Sequence, residues 1–536
     1  MMLQWYPGVT PAAIRQTEPP AAFFRFQRQE PVFSRTAAEA VALRSTAQQQ
    51  AWIHAVGAGA AIVAAAATVP FLQHRESRGR RSQGVVCREA VLSKAAQAAE
   101  TWFQNQAQSA TARRPNLFGT ALAERASSLL GEVAAPTRRQ EAWRFTDLEA
   151  LLYSPVDSPS RPAATGPDVS AAIHALLEDD DCARLVFVDG VLSEDLSHMM
   201  CGDEELLVCG SEALQSDGSR ALARVGDLLA SLPEVDLFES NARDSLGCAK
   251  LAALNQLAFL DLACVCCPGT GGSSAASEET EALRIEVVFV TTGAIACSSP
   301  RLVVDCGSGR SLHIIENHLS LNADDESLSN GVCRVVVAKG ARVKHELLQQ
   351  KANGARFVES VMSEVAEGGD YQLRVVQSGC RVGRTNAAIR LAGQSAACSL
   401  TSAMIAGQKQ QLDLHSLIHH AVPSCTSHQA HKNVVADTAE CIFKGAVQVD
   451  RVAQQTDSSQ ICRSLLLSKK ASVKAMPVLQ IRADDVACAH GATVTELDQD
   501  QVFYMASRGV SALEARQLLL VAFPQDLLAG LKDTAP

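Results

Sequence analysis

The chain has 536 residues, 47% of them hydrophobic and 20% charged, with 17 cysteines and a formal net charge of −10, which is room for two to four domains with sizeable cores. Residues 1–83 hold nine Arg and four Glu with no Lys or Asp, a balance of +5 that leaves −15 for the rest. So acidic a body, with aromatics at only 4%, excludes a phosphate-backbone or base-stacking mode of nucleic-acid binding.

The cysteines are odd in number, irregularly spaced and free of any paired CxxC…CxxC zinc pattern. That usage fits reduced thiols in a reducing compartment. The first 83 residues, Arg-containing, acid-poor and rich in Ala, Gln and Pro, read as an organelle transit presequence. Within them, residues 51–72 (AWIHAVGAGAAIVAAAATVPFL) are long enough to span a bilayer. They are mostly Ala and Gly and contain His54, so part of a bipartite presequence, a retained anchor and an unstructured tail all stay open.

Residues 84–258 read as a helical and mixed region. Helical spacing runs from about Cys87 to Leu130. Trp143-Arg144-Phe145-Thr146-Asp147 follows as an aromatic turn anchor, with Arg144 pairing locally. Residues 154–168 (SPVDSPSRPAATGPD) read as a linker, Arg184–Gly190 as a strand closed by an Asp-Gly turn, and residues 220–260 as helical again.

From about 259 to 492 short strand-like runs recur at 285–290, 301–306, 311–321, 333–340, 371–379 and 387–393, punctuated by Gly, Ser, Asn and Asp. No helix-length pattern separates them, which disfavours a doubly wound sheet and leaves a sandwich, a barrel or a β-solenoid. Cys264, Cys266 and Cys267 read as a buried strand before an expanded loop over residues 269–282. His415, His419, His420, Cys425, His428 and His431 crowd into one short stretch, which invites structural hydrogen bonding, a part in metal transfer, or a separate zinc site.

Cys488 and His490 lie two positions apart on a strand-like run, so both fall on one face. Gly491 follows. A thiolate and an imidazole on one face make a soft-metal half-site. Residues 493–536 then turn helical, with apolar three/four spacing around Pro524. No GxxxxGK[ST] loop, GxSxG elbow or HExxH helix occurs.

The run from Asp484 to Gly509 (DDVACAHGATV, then FYMASRG) resembles the C-terminal signature of the SufB/SufD family of iron–sulfur cluster assembly scaffolds. His490-Gly491-Ala492 favours its SufD branch. Further matches are the Trp143-Arg144-Phe145-Thr146 element; His420, Pro423, Cys425, Ser427 and Lys432; Phe443, Lys444 and Gly445; Gln454, Thr456, Asp457 and Gln460; and Leu465–Ser468. The resemblance implies a mainly β fold, a right-handed parallel β-helix core flanked by N- and C-terminal helical regions.

It also implies a non-catalytic subunit of a SufB–SufC–SufD complex in the plastid stroma. Such a subunit pairs with a SufB-type paralogue, docks a SufC-type ATPase and binds no nucleotide itself. It supports iron acquisition and nascent cluster formation, and in its mature form has no membrane partner. Cys488 and His490 are the implied ligands for iron or a transient iron–sulfur cluster. Cys462 occupies the position of a SufB ligand, but Gly491 replaces the Glu that accompanies it there. Tyr504, Arg508, Gly509 and Phe523 are the implied partner-binding residues. The alternatives are an adaptor without ligands and a β-solenoid carbohydrate-active enzyme, the latter poorly served by so few aromatics.

Overall fold

A computed structural model describes residues 84–111, 120–152, 167–174, 182–198, 200–201, 207–211, 220–230, 246–269, 282–293 and 295–528. The presequence, nearly all of the 154–168 linker and the body of the loop after Cys267 lie outside the described residues.

The helices of the N-terminal region are α1 (Gly84–Thr111), α2 (Thr120–Glu132), α3 (Leu148–Leu152), α4 (Pro167–His174), α5 (Arg220–Ala230) and α6 (Ala249–Ala258). Ala99, Trp102, Phe103 and Ala110 make the apolar stripe of α1, and Ala126 and Leu130 that of α2. Both close on Leu251, Leu254 and Leu257 of α6, as helical periodicity requires. Lys250 is buried beneath them. Its ammonium meets Glu100 at 2.7 Å and donates to the carbonyls of Leu130 at 2.8 Å and Val133 at 2.7 Å, satisfying acceptors left over at the end of α2.

Two small antiparallel pairings open the sheets, β1 (Ala183–Val188) with β2 (Val191–Leu192) and β3 (Met200–Cys201) with β4 (Leu207–Cys209). The chain then winds between two sheets that are parallel from β5 (Ala263–Cys267) and β6 (Leu283–Thr291) onward, with β4 antiparallel to β5. One holds β1, β6, β9 (Ser311–Ser320), β11 (Arg342–Lys351), β13 (Asp370–Gly379), β15 (Ala397–Ala406), β17 (Thr426–Val435), β19 (Thr456–Leu466) and β21 (Val486–Glu496). The other holds β4, β5, β8 (Arg301–Cys306), β10 (Leu328–Val337), β12 (Arg356–Val365), β14 (Val382–Leu391), β16 (Gln411–His420), β18 (Glu440–Val449) and β20 (Ser472–Ile481), with β7 (Cys297–Ser298) paired beside β10. The result is a parallel β-solenoid of about seven turns.

Each strand pairs with the strand one coil back. Arg342 faces Asp370, Asp370 faces Ala397, Ala397 faces Thr426, and Thr456 faces Val486. Each of these corners turns on a residue in the left-handed region: Gly340 (φ 65°) and Gly368 (φ 62°), then Ser395 (φ 59°), Ser424 (φ 61°) and Gln455 (φ 58°). In the later coils a side-chain-bearing residue accepts a conformation that glycine adopts at no steric cost. Backbone N–H groups at these corners donate to the next coil, as in Gly368 to Gln394 at 3.0 Å and Ser424 to Gln454 at 2.9 Å.

The outer face of the second sheet is covered by the N-terminal region. An in-register column of Met362, Ala388, Leu417 and Ala446 packs under Leu246, Cys248 and Ala252. Beside it lies a buried cation. Arg384 donates to the carbonyls of Ala142 at 2.7 Å and Leu246 at 2.6 Å and to Thr146 Oγ1 at 3.0 Å, and meets Asp413 at 3.3 Å. Its guanidinium stacks on Trp143 at 3.7 Å, while the indole donates to Gly247 O at 3.0 Å. The aromatic turn is thus anchored on the sheet. Arg144 stays exposed and lies over the Phe145 ring at 5.3 Å.

Replacing Arg384 by Met leaves Asp413 and several carbonyls buried without their cation. Equilibrium urea unfolding is expected to show a loss on the order of 3 kcal/mol; a loss below about 1 kcal/mol would mean that this contact does not tie the N-terminal region to the sheet.

Candidate functional site

The coil-to-coil ladder stops at β20 and β21, since no described strand pairs with the outer edge of either. Burial falls there accordingly. Every residue of β18 is buried or half-buried, β20 is half-buried and then exposed, and most of β21 is exposed. Ile481 and Val494 are among the exposed large hydrophobic residues. An unpaired strand offers free N–H and C=O groups, and unsealed core residues add apolar surface to them.

Cys488 and His490 stand on β21 at this end. Register places Cys488 beside Ser458 and His490 beside Gln460, so alternation puts both on the inward face, as the spacing predicts. Cys488 is half-buried and packs against the small apolar cluster of Val447, Val449, Ala453 and Ala483. Burial, with the Asp457 charge nearby, pushes its thiol above the ordinary value. His490 is exposed.

Behind the pair runs a buried polar row. Ser458 Oγ and Ser427 Oγ are 2.9 Å apart, and Ser427 meets His420 Nε2 at 2.9 Å. Gln460, beside His490, has neither amide atom in a hydrogen bond although it is 1% exposed. Its amide fits because Gly445 opposite has no side chain; a Cβ there would stand 2.0 Å from Gln460 Nε2. In the sequence His420, Ser427 and Gln460 stand out only as separate positions of the family resemblance; the coil register is what brings them into one row with Ser458.

Cys462 is wholly buried, one coil inside β21 and paired with Ala492. Asn433 Nδ2 donates to its sulfur at 3.5 Å, and burial pushes the thiol up to about 11. Its place is in the core with Met404 and Phe443, apart from the exposed edge.

The histidine-rich stretch is dispersed by strand alternation. His415 faces outward beneath the N-terminal region, 2.9 Å from Asp413, and His419 meets Asp450 at 2.8 Å. His420 and His431 point inward, His431 bonding Ser402 at 2.8 Å. His428 bonds Ser459 at 2.8 Å on the exposed face, and Cys425 lies buried between a turn and the start of β17. Among the described residues these side chains form no group able to hold one ion.

Past β21 come α7 (Gln499–Ser507), α8 (Ala512–Ala522) and α9 (Gln525–Leu528). Asp498 caps α7 by accepting from the N–H groups of Asp500 and Gln501, and Ser511 with Glu514 forms a capping box on α8. Gly509, at φ 92°, terminates α7, which is a conformational reason for glycine there. Tyr504 is 59% exposed and Phe503 75%, with Leu513 and Leu518 also exposed. Tyr504, Met505 and Leu519 line an open groove of about 450 Å³. Arg508 lies over the Tyr504 ring at 5.2 Å. Phe523 also makes a contact within the chain: its carbonyl accepts from Lys432 at 2.7 Å, and Lys432 pairs with Asp526, fastening α9 to the first sheet.

Among the described residues, both sheets of the solenoid end in strands with an unpaired outer edge, and helices with exposed apolar side chains follow them in the chain. Residues 289–523 match the family described as SUF system FeS cluster assembly, SufBD core domain. The chain is 29% identical to "Protein ABCI7, chloroplastic" of Arabidopsis thaliana, over 73% of this chain and 78% of that one. It is 28% identical to an iron-sulfur cluster assembly SufBD family protein of Synechocystis sp., over 75% and 85%. Against the iron-sulfur cluster assembly protein SufD of Escherichia coli it is 26% identical, over 74% and 86%. Over residues 289–523, and across about three quarters of the chain in these relatives, the sequence is similar to the SufB/SufD family.

Burial depresses the imidazoles of His420, to about 4 with help from the His419 charge, and of His431, to about 3. The unfolded chain therefore binds protons that the folded chain refuses between the ordinary 6.5 and those values, so stability falls as pH falls through this window. Urea midpoints measured from pH 7 to pH 4 are expected to drop steadily, and His431→Gln to flatten the slope; an unchanged slope in that variant would contradict the burial of a neutral His431.

Proposed function

We propose that the chain is a SufD-type, non-catalytic subunit of a plastid SufB–SufC–SufD scaffold, acting in the stroma. The observation that carries this reading is the unsealed end of the solenoid, where β20 and β21 present free edges and Cys488 and His490 stand together on the inward face of β21. The name of the chloroplastic relative supports the compartment, and those of the SufD relatives support the subunit type.

In this reading a SufB-type paralogue continues the sheets across the open end. A β-edge is an efficient docking surface because main-chain hydrogen bonds supply affinity and alternate side chains supply selectivity. Cys488 and His490 then lie at the junction, where partner residues complete the coordination of iron or a nascent cluster as the cargo. The exposed apolar helices α7 and α8 dock a SufC-type ATPase, with Tyr504 and Arg508 in the contact. Nucleotide is bound by that ATPase, and its movements reach the junction through α7, which follows β21 after a two-residue link.

The chemistry follows from the two ligands. A soft thiolate and an imidazole suit iron, and both must be unprotonated to bind it. The raised thiol of Cys488 makes loading a proton-releasing step. The polar row of Ser427, Ser458 and Gln460 behind them gives the junction hydrogen-bonding groups that a sealed apolar core lacks.

The test is anaerobic co-purification with SufB-type and SufC-type partners, followed by iron and acid-labile sulfide assays. Cys488→Ala and His490→Ala are each expected to cut cluster yield at least tenfold while the three-protein complex still forms, and wild-type loading to weaken as pH is lowered. Normal cluster yield in both variants would reduce the chain to an adaptor without ligands, and failure of the complex to form would overturn the reading.

A further inference from the structure

A second group of metal-ligating side chains lies wholly inside the solenoid, in coils preceding the open end. Glu316 and His318 both project inward from β9, His345 from β11, and Cys333 and Glu359 from β10 and β12 on the facing sheet. All five are at most 1% exposed. His318 Nε2 lies 2.8 Å from Glu316 Oε1 and 3.6 Å from Glu359 Oε2, and one ligand atom from each of the three falls within 4.8 Å of the others. His345 Nε2 stands 3.0 Å from the second Glu316 oxygen.

Glu359 is the unexplained member. Neither of its carboxyl oxygens makes a hydrogen bond of normal geometry, although the Ser360 N–H is near, and His318 Nδ1 also has no hydrogen-bond partner. A buried carboxyl left in this state is costly whether ionised or neutral. Room for it is nonetheless provided. A Cβ at Gly331, opposite on β10, would stand 1.7 Å from Glu359 Oε2, so any side chain there would displace the carboxylate. The imidazole is held from both sides, stacked on Phe289 at 5.1 Å and edge-on to Phe357 at 5.0 Å. His345 is oriented in turn by Tyr371, whose hydroxyl lies 2.9 Å from its Nδ1.

We infer that Glu316, His318 and Glu359 form a buried site for one divalent first-row transition cation. Two carboxylates and one neutral imidazole balance a dication, so the ion removes the cost of burying both carboxylates. Ligand atoms spaced this way can share an ion at the ~2.0–2.2 Å expected for carboxylate and imidazole donors. His345 meets the other oxygen of Glu316 and, with Tyr371, supplies the outer hydrogen bonds that fix a ligand's orientation. Burial charges Glu359 with an energetic penalty that the neighbouring Glu316 increases, and its carboxyl is pushed well above the ordinary range without the ion. The site's place inside the closed coils distinguishes it from Cys488 and His490, which stand at the open end.

The site is tested on the full chain produced in zinc-supplemented medium, passed through chelator-treated gel filtration and assayed for metal. Wild type and a Cys488→Ser, His490→Gln control are expected to retain about one zinc per chain. Glu359→Gln and His318→Gln are expected to lose at least nine-tenths of it. Far-UV circular dichroism establishes that each variant has folded, and whichever of the two retains the wild-type spectrum decides the result. Growth with Co²⁺ in place of zinc is expected to give visible ligand-field bands that vanish in the same variants. Wild type without retained metal, or a folded Glu359→Gln chain retaining it at the wild-type level, would overturn the inference. Loss of zinc in the Cys488→Ser, His490→Gln control alone would assign the ion to the edge and overturn it equally.

Discussion

Parallel pairing between successive coils is the constraint on which the rest of this structure depends. A coiled strand has no partner within its own turn, so its hydrogen bonds are met only by the coils before and after it. At the start of the solenoid the short pairings of β1 with β2 and β3 with β4 complete the sheets. At the other end nothing described does so for β20 and β21. The same rule that makes the middle coils rigid therefore leaves the final coil with unmet backbone groups and an uncovered interior. Cys488 and His490 lie on that final strand, and the half-burial of the one and the exposure of the other follow from the topology.

The interior is unusual in a second respect. Many inward positions are polar or ionisable, among them Glu316, His318, His345, Gln377, Gln429, His431 and Gln460. Partners are found across the coil, as when Ser416 donates to Gln429 at 2.8 Å, or on the next coil, as when Asn433 donates to Ser464 at 2.9 Å. At Gln460 and Glu359, two of the inward side chains without a hydrogen-bond partner, an opposing glycine leaves the space. A polar core of this kind costs stability compared with an apolar one. The N-terminal region adds a large apolar contact outside the second sheet, with Arg384 joining Trp143 and Thr146 to Asp413.

Much of this was legible in the sequence. The run at 301–306 became a strand with the same limits, and those at 285–290 and 311–321 fall within or nearly coincide with β6 and β9. Pairing of Cys488 with His490 on one face needed only the period of a strand. Other strands escaped because their composition misleads. RVKHELLQQK in β11 and QLDLHSLIHH in β16 carry too many charges and imidazoles to resemble buried strands, yet β16 is buried throughout. Polar residues there are matched by partners a coil away, which a linear reading cannot see. For the same reason the histidines from 415 to 431 looked like one cluster, although alternation sends them to different faces. The grouping of Glu316 and His318 with Glu359 was equally hidden, since coil length varies and no fixed repeat aligns these positions. Resemblance to a known family supplied the solenoid, which periodicity alone left beside a sandwich or a barrel.

The central claim is that the open end formed by β20 and β21 is the surface on which assembly takes place. Hydrogen–deuterium exchange of the full chain, alone and with a SufB-type partner, addresses it most directly, because exchange reports the backbone hydrogen bonds that a docked edge would gain. Amides of β20 and β21 are expected to exchange quickly in the free chain and to slow at least tenfold in the complex, with the middle coils unchanged. A complex that forms while these two strands exchange as fast as before would contradict the account and place the assembly surface elsewhere on the molecule.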